Sequence, residues 1–431
     1  MRKLYCPHQD ATAIKLVCVH LTDRPPDRTD YHKWFIGKAH DYRLICQDCH
    51  KQFDEGNSDI ELRTICADCF ANIETEGCFD GLVGQPEIYE RATSLAFSSE
   101  IVTLRVPINE KLLAIQPLES QRESVWIGIT EEENVWYIDL ASHSASVLTH
   151  LPASSINFKQ PLLLRLSSDA QYAAIANTHG QHGIVIDLAT EKATMHLQRD
   201  NYYIQHSDFP LTFFEQDDRT FLVHGTLWNR LDISDPQTGR LLTERTIQPY
   251  EKGKLPEHHL DYFHCGLTVS PDQEWIVNNG WIWMPIGILT TWNVKRWLNE
   301  NLWESEDGPS KRQIGHRWYY WDGPLCWVDN RTLAVWGYGE DDIWLLPAAA
   351  IFDVVSGKEL RWFAGPQGNF FFDDYLFSCS DEHGTAVWDI KTGERLLYDR
   401  NICPTHYHHG AKQFLRVLSD RAFEIITLKL I

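Results

Sequence analysis

Short apolar strands that end on a polar anchor recur through most of the chain. Each run of β-branched and aromatic residues closes with an Asp or Asn between two apolar side chains, and a turn follows. The six anchors are Asp139, Asp187, Asp232, Asn293, Asp353 and Asp389, spaced 36 to 61 residues apart. A period near ~40 to 45 residues, lengthened by loop insertions, is typical of four-stranded propeller blades. With terminal strands at 414–418 and 422–428, the pattern predicts a mostly β chain in which residues 97–431 form a single β-propeller of seven blades.

The stretch from Leu95 to Val106 precedes the first full blade and is rich in strand-forming residues. A propeller closes its ring by pairing a strand from one terminus into the last blade, because an unpaired edge would expose backbone groups. We therefore expect this stretch to close the ring. The alternative is that it continues a linker helix over 87–93. Glycine and proline cluster over 74–90, which predicts a domain boundary there and a linker over 81–96.

One repeat unit is especially regular. Residues 378–396 read SCSDEHGTAVWDIKTGERL, the turn recurs at 354–360 as VVSGKEL, and residues 269–272 read VSPD. In these segments the chain resembles the WD-repeat family, and the resemblance extends roughly over residues 97–431. It implies a propeller in which the loops between blades, and those between the second and third strands of a blade, emerge on one face.

The cysteines are concentrated at the N-terminus, where seven of eleven fall within the first 78 residues. Six of these seven cysteines form four short pairs, either with neighbouring histidines or with each other. The eight candidate ligands are Cys6, His8, Cys18, His20, Cys46, Cys49, Cys66 and Cys69. Two Cys-x-x-Cys motifs separated by sixteen residues match zinc ribbons and treble clefs. The sequence therefore predicts a zinc-binding domain over residues 1–80 that holds two Zn²⁺ ions.

The pairing of these ligands is open. Pairs one and two can share an ion, or pairs one and three can share one as in cross-brace domains, which resemble ubiquitin-ligase zinc domains in ligand count alone. Disulfides are the alternative to zinc, but an acidic chain without a secretion signal favours reduced cysteines. A closed four-ligand site has no open position for substrate, so the expected role is structural. We expect the zinc domain and the propeller to have separate cores.

Long aromatic loops fall into the two loop classes that should share one propeller face. The candidate partner-binding residues are Tyr202, Tyr203, Trp281, Trp283, Trp318, Tyr319, Trp321, Tyr338, Glu340, Asp341, Asp342, Trp344, His406 and His408. Trp and Tyr mixed with carboxylates are typical of interaction hot spots, with the acids favouring a basic protein or peptide. The competing interpretation is that many of the Trp residues, above all those on strands, belong to the core.

Charge and the absence of motifs narrow the function. The net charge of −21 disfavours general nucleic-acid binding, which requires a basic surface. The sequence has no apolar run long enough to span a membrane and no signal peptide, so we expect a cytoplasmic protein. We find no nucleophile elbow, phosphate loop or His-Glu-x-x-His motif. The prediction is a non-catalytic interaction scaffold; the alternatives are a hydrolase-like propeller enzyme acting at the channel mouth and a zinc-ribbon nucleic-acid binder.

Overall fold

The N-terminal module is a five-stranded sheet with three short helices. The computed structural model describes residues 14–23, 29–37, 39–56, 59–246, 254–339 and 345–431. In chain order the elements of the module are β1 Ile14–Cys18, α1 Val19–Thr22, β2 Asp30–Phe35, β3 Tyr42–Ile45, α2 Gln47–Asp54, β4 Leu62–Cys66, α3 Ala67–Glu76 and β5 Cys78–Val83. The sheet order is β4-β1-β3-β2-β5, with β1 antiparallel to β4 and parallel to β3.

Three strand-to-helix junctions of the module are built alike. Each of Cys18, Cys46 and Cys66 ends or follows a strand, keeps an extended backbone, and is the N-cap residue of the next helix. The residues Cys49 and Cys69 lie in the first turns of α2 and α3. The boundary expected after residue 80 falls inside β5, so the module's sheet continues to Val83.

Residues 95–430 form a seven-bladed propeller. The ring begins with β6 Leu95–Thr103. Blade one contains β7 Leu112–Pro117, β8 Val125–Thr130, β9 Asn134–Asp139 and β10 Ser144–His150; blade two contains β11 Leu162–Leu166, β12 Tyr172–Asn177, β13 His182–Asp187 and β14 Lys192–Gln198. Blade three contains β15 Leu211–Gln216, β16 Arg219–Leu227 and β17 Arg230–Ser234.

The second half of the ring includes two helices. Blade four contains β18 Phe263–Val269, β19 Trp275–Ile282, β20 Ile286–Asn293 and β21 Arg312–Trp318, with α4 Val294–Asn299 and α5 Glu304–Asp307 before its last strand. Blade five contains β22 Leu325–Trp327, β23 Thr332–Tyr338, β24 Leu346–Asp353 and β25 Lys358–Ala364. Blade six contains β26 Asn369–Asp373, β27 Tyr375–Ser380, β28 Gly384–Asp389 and β29 Glu394–Asp399. Blade seven contains β30 His406–His408, β31 Gln413–Val417 and β32 Ala422–Leu430.

The ring closes through its termini. Strand β6 pairs antiparallel with β32 from Leu95 opposite Leu430 to Thr103 opposite Ala422, and so becomes the outer strand of blade seven. The predicted closing strand is confirmed, and the linker-helix alternative is wrong.

The polar anchors stop strands by forming turns. The Asp187 carboxylate accepts hydrogen bonds from the backbone N–H groups of Ala189 and Thr190 at 3.0 and 2.8 Å. Asp389 accepts in the same way from Lys391 at 2.9 Å. An Asp side chain that bonds its own backbone two or three residues on replaces the lost ladder bonds and turns the chain toward the outer strand. The same kind of turn follows Asp139 and Asp353, whereas Asp232 bonds the side chains of Thr243 and Arg245 instead.

Within the described residues, blade three has three strands, and side chains satisfy the outer edge of the last of them. Thr243 accepts the Ile233 N–H at 2.9 Å and donates to Asp232 at 3.0 Å. The Arg245 guanidinium donates to the Leu231 carbonyl at 3.1 Å, pairs with Asp232 at 2.7 Å, and pairs with Glu306 of α5. An edge strand must be paired or covered, and here buried polar side chains cover it.

The module docks on blades four and five through a shared core. Phe35 and Leu82 of the module belong to the same buried cluster as Val335 and Trp362 of blade five. The Phe35 and Trp362 rings meet edge to face at 5.8 Å. The module keeps a core of its own around Val17, Leu44 and Phe70, but the expectation of fully separate cores is wrong, because Phe35 and Leu82 pack into the propeller cluster. Within the described residues, we find no helix that is both long enough and apolar enough to cross a membrane.

Candidate functional site

Four side chains of the module converge as a metal site. The ligand atoms of Cys18, His20, Cys46 and Cys49 all lie within 4.8 Å of one another. His20 Nδ1 lies 3.3 Å from Cys49 Sγ, and the Cys46 N–H donates to Cys18 Sγ at 3.3 Å. The three cysteines are buried and His20 is exposed. The arrangement follows from topology, because the parallel pairing of β1 with β3 brings their strand-end cysteines side by side.

Burial raises the pKa of two thiols in this cluster. Burial raises the pKa of Cys18, and repulsion by Cys46 adds to the effect. Burial also raises the pKa of Cys49, as does repulsion by Cys18 and Cys46. Neutral thiols are thus favoured in the free cluster, and a bound cation would reverse that preference and release protons. Three thiolates and one imidazole at this spacing fit a closed tetrahedral zinc site.

The observed pairing corresponds to neither arrangement left open by the sequence. Pairs two and three share one cluster, whereas the alternatives joined pair one to pair two or to pair three. Cys66 and Cys69 form a similar knuckle, in which the Cys69 N–H donates to Cys66 Sγ at 3.4 Å. The remaining pair, Cys6 and His8, lies outside the described residues.

A second group of residues forms a continuous set of rings on the propeller, which we call the aromatic platform. It consists of Tyr202, Tyr203, Trp228, Phe263, Trp281, Trp283 and Trp321. Phe263 and Trp281 stack at 3.9 Å and are fully buried beneath it. Trp281 stacks on Trp321 at 5.1 Å, and Tyr203 meets Trp283 edge to face at 4.6 Å.

The platform joins the two loop classes that were expected to share a face. Tyr202 and Tyr203 lie between blades two and three, and Trp283 lies between β19 and β20 within blade four. Backbone and polar contacts fix the rings: Trp281 Nε1 donates to Ser207 Oγ at 3.0 Å, and Trp321 Nε1 donates to the His206 carbonyl at 2.8 Å. The surface is therefore preorganised, with rings held by both stacking and hydrogen bonds.

The platform presents apolar rings to solvent. Tyr202, Tyr203 and Trp283 are 43%, 37% and 38% exposed, and the neighbouring Met284 is 67% exposed. Tyr203 and Met284 have positive φ values of 52° and 86°. Non-glycine residues in this region are uncommon and cluster at functional sites.

Other predicted partner-binding residues lie elsewhere. Tyr319 is 55% exposed on the loop after blade four. Tyr338 stacks on Trp362 at 3.7 Å and faces the module, where its hydroxyl lies 3.5 Å from Lys33 Nζ. Trp318 ends β21, and its side chain lies outside the described part, as do Glu340, Asp341, Asp342 and Trp344.

The two predicted histidines of blade seven point into the protein. His408 is 0% exposed, with Nδ1 lying 3.5 Å from a Glu119 carboxylate oxygen. His406 is half-buried, and burial lowers its pKa to about 4. His408 therefore presents no side-chain surface to a partner in this structure.

Trp228 and Phe263 belong to the platform but were not predicted. Trp228 occupies the tight turn between β16 and β17, and Phe263 begins β18. The sequence prediction selected aromatic residues on long loops, and this criterion misses an aromatic residue such as Trp228 in a two-residue turn. The signal available for Trp228 was a large apolar residue next to Asn229 in a turn, a position that normally favours polar side chains.

Comparisons with known proteins assign no family to the chain. No protein-family profile matches the chain, and no curated protein matches it. A chain of a solved structure described as "Crystal Structure of Mitotic Checkpoint Complex" is 10% identical, with a TM-score of 0.48, covering 76% of this chain and 90% of that one. The Cps50 (Swd1) β-propeller domain of Myceliophteria thermophila is also 10% identical, with a TM-score of 0.48, covering 77% of this chain and 99% of that domain.

Proposed function

We propose that the chain is a non-catalytic interaction scaffold in which the aromatic platform binds a protein or peptide. The observation that carries the proposal is the platform itself. Exposed rings of Tyr203 and Trp283 rest on a buried Phe263–Trp281 stack, which combines accessible apolar area with rigidity. Binding energy concentrates at such aromatic anchors, because rigid rings bury a large area at a small entropic cost.

The partner we propose carries basic side chains. The chain has a net charge of −21, and acidic residues flank the platform loops: Asp200 precedes Tyr202, and Asp322 follows Trp321. Arg and Lys side chains are also attracted to the faces of Trp and Tyr rings. The same charge makes nucleic acid an unfavourable partner.

We further propose that the module binds zinc in a structural role. The Cys18, His20, Cys46 and Cys49 cluster supports one ion, with all four ligands supplied by the protein and no position left for a substrate. The second ion, at Cys66 and Cys69 with Cys6 and His8, stays a prediction. Reduced thiols suit a cytoplasmic setting. The module and the propeller are proposed as the two structural parts of the scaffold.

Selection of displayed random peptides on the intact protein tests the platform. We expect enriched peptides to carry Arg or Lys beside an apolar residue. Trp283→Ala should weaken their binding by roughly tenfold or more, the usual cost of truncating an aromatic anchor. The matched control is Tyr398→Ala, which removes an aromatic ring that is 46% exposed on the outer strand of blade six and should leave binding unchanged. Equal losses in the two variants, or enrichment of acidic peptides, would contradict the proposal.

A further inference from the structure

A cavity of about 360 Å³ lies where the module meets the propeller. Tyr31 and Phe79 line it from the module, and Phe352 and Arg317 line it from the propeller. The volume lies within the range of small-molecule pockets, which are mostly apolar with a few polar groups that fix orientation. The cavity is separate from both the metal cluster and the aromatic platform.

Arg317 is the polar group that needs an explanation. The residue is 6% exposed, and within the described residues its side chain has no hydrogen-bond acceptor and no carboxylate partner. Burial alone lowers the pKa of Arg317 to about 10, so the guanidinium stays charged at neutral pH. Its Nη1 atom lies beside Gly323, at the start of blade five, where a Cβ atom would be 3.0 Å away. A buried cation without a partner is unfavourable, so proteins normally pair one.

Arg199 and Arg245, the other buried arginines among the described residues, both have ion-pair or hydrogen-bond partners. Arg245 pairs with Asp232 and Glu306. Arg199 donates to the carbonyl oxygens of Gly180, Ser207 and Asp208 at 2.8, 2.7 and 3.0 Å. The contrast shows that this fold supplies partners to buried guanidinium groups, and Arg317 departs from that pattern.

The neighbouring charges do not neutralise Arg317. Lys33 also lines the cavity, but its ammonium is paired with Glu74 at 3.0 Å. Glu359 lies at the exposed side of the cavity and forms no ion pair with Arg317. The described wall therefore holds one buried guanidinium without an ion-pair partner, beside aromatic side chains, and one exposed carboxylate, that of Glu359.

We infer that this cavity binds a small ligand that carries a carboxylate or phosphate group on an aromatic or apolar body. Arg317 supplies the planar fork of donors that matches either anion in a bidentate geometry. The rings of Tyr31, Phe79 and Phe352 cover the apolar body. Since the walls come from both the module and the propeller, the ligand also holds the two parts together.

Titration calorimetry of the full chain with benzoate, phenyl phosphate and inorganic phosphate tests the inference. We expect at least one aromatic anion to bind, and inorganic phosphate to bind more weakly because it lacks the apolar body. Tighter binding of benzoate would assign the site to carboxylates, and tighter binding of phenyl phosphate to phosphate esters. Arg317→Met should weaken the aromatic anion about tenfold or more. The matched control, Arg312→Met, changes an exposed arginine on the same strand and should have no effect.

Thermal unfolding gives a second readout. If Arg317 serves a ligand, its replacement by Met should leave the melting temperature of the free protein unchanged or raise it, because an unpaired buried charge is removed. Arg317→Lys keeps the charge but loses the fork, and should weaken binding without unfolding the chain. The inference is overturned if no probe binds, if Arg317→Met binds as wild type does, or if Arg317→Met destabilises the free protein strongly.

Discussion

The module and the propeller differ in how they treat buried polar groups. In the propeller, buried charges such as those of Arg245, Asp232 and Glu306 satisfy one another, whereas Arg317 has no ion-pair partner among the described residues. In the module the buried thiols of Cys18, Cys46 and Cys49 face each other, and repulsion between them is relieved only by a cation from outside. We infer from this difference that the propeller completes most of its own core, whereas the module is stabilised by the blades against which it docks and, as we propose, by a metal ion.

Removing a metal ligand should have the largest effect. Cys46→Ser leaves three ligands, and structural zinc sites contribute on the order of 10 kcal/mol of binding free energy to folding. We expect loss of one metal ion per chain and rapid proteolysis within residues 14–83, measured by elemental analysis and limited trypsin digestion. Cys78→Ser is the control, because Cys78 is an exposed cysteine of the same module outside the cluster. Full metal content in Cys46→Ser would refute the assigned ligand set.

Breaking the buried ion pairs of the propeller should have the second largest effect. Arg245→Met leaves Glu306 buried without its ion-pair partner and leaves Asp232 paired with Arg230 alone, and breaking a buried pair typically costs about 3 to 5 kcal/mol. The urea midpoint of the propeller should fall while metal content stays at the wild-type level. Arg296→Met, which changes an exposed arginine of α4, is the control and should shift the midpoint little. A loss of metal in Arg245→Met would contradict the proposed difference between the propeller and the module.

Weakening the contact between the module and the propeller should have the third largest effect. Phe35→Ala removes a buried ring that packs on Trp362, and such truncations cost about 3 kcal/mol or more. The expected signature is coupled: the module becomes protease-sensitive, and the propeller also unfolds at lower urea. Phe35→Leu preserves most of the volume and should lose much less. If Phe35→Ala destabilises the module alone, the shared core does not couple the stability of the module to that of the propeller.

The smallest effect is expected from breaking the hydrogen bonds between blades one and seven. The Glu119 carboxylate accepts the His409 and Gly410 N–H groups at 3.2 and 3.0 Å. Desolvation opposes ionisation of Glu119, but these bonds and that from His408 outweigh it and lower the pKa. A lowered pKa stabilises the fold above the unfolded value of about 4.3, and the benefit is lost as the pH falls through the folded pKa.

Glu119→Gln should therefore reduce stability slightly at pH 6, and the difference from wild type should shrink toward pH 3. Urea midpoints at both pH values measure it, with Glu132→Gln as the control, since Glu132 is an exposed glutamate of blade one. A difference that grows at acid pH would reverse the assigned sign.

The sequence predicted what local chemistry determines. Anchors such as Asp187 and Asp389 repeat because each turn needs a carboxylate, so the blade count followed from their spacing. Ring closure followed from the strand-forming content at Leu95–Thr103. The aromatic platform was partly predictable, because Tyr203 and Trp283 lie on long loops.

What the sequence did not reveal depends on long-range topology. The parallel pairing of β1 with β3 decides which cysteine pairs share an ion, and neither strand encodes its neighbour. Phe35 and Trp362 each look like ordinary core residues, so their mutual contact gave no signal. The side chains of Thr243 and Arg245 replace a fourth strand in blade three, and a single Thr and Arg leave no periodic pattern to detect.

Calorimetry of the intact chain, metal-loaded and after chelation, tests the central claim most directly. We expect that removing the metal unfolds the module. The melting temperature of the propeller should fall as well, because Phe35 and Leu82 then leave the core they share with blades four and five. An unchanged propeller transition after chelation would contradict the account and would mean that the two regions are energetically independent.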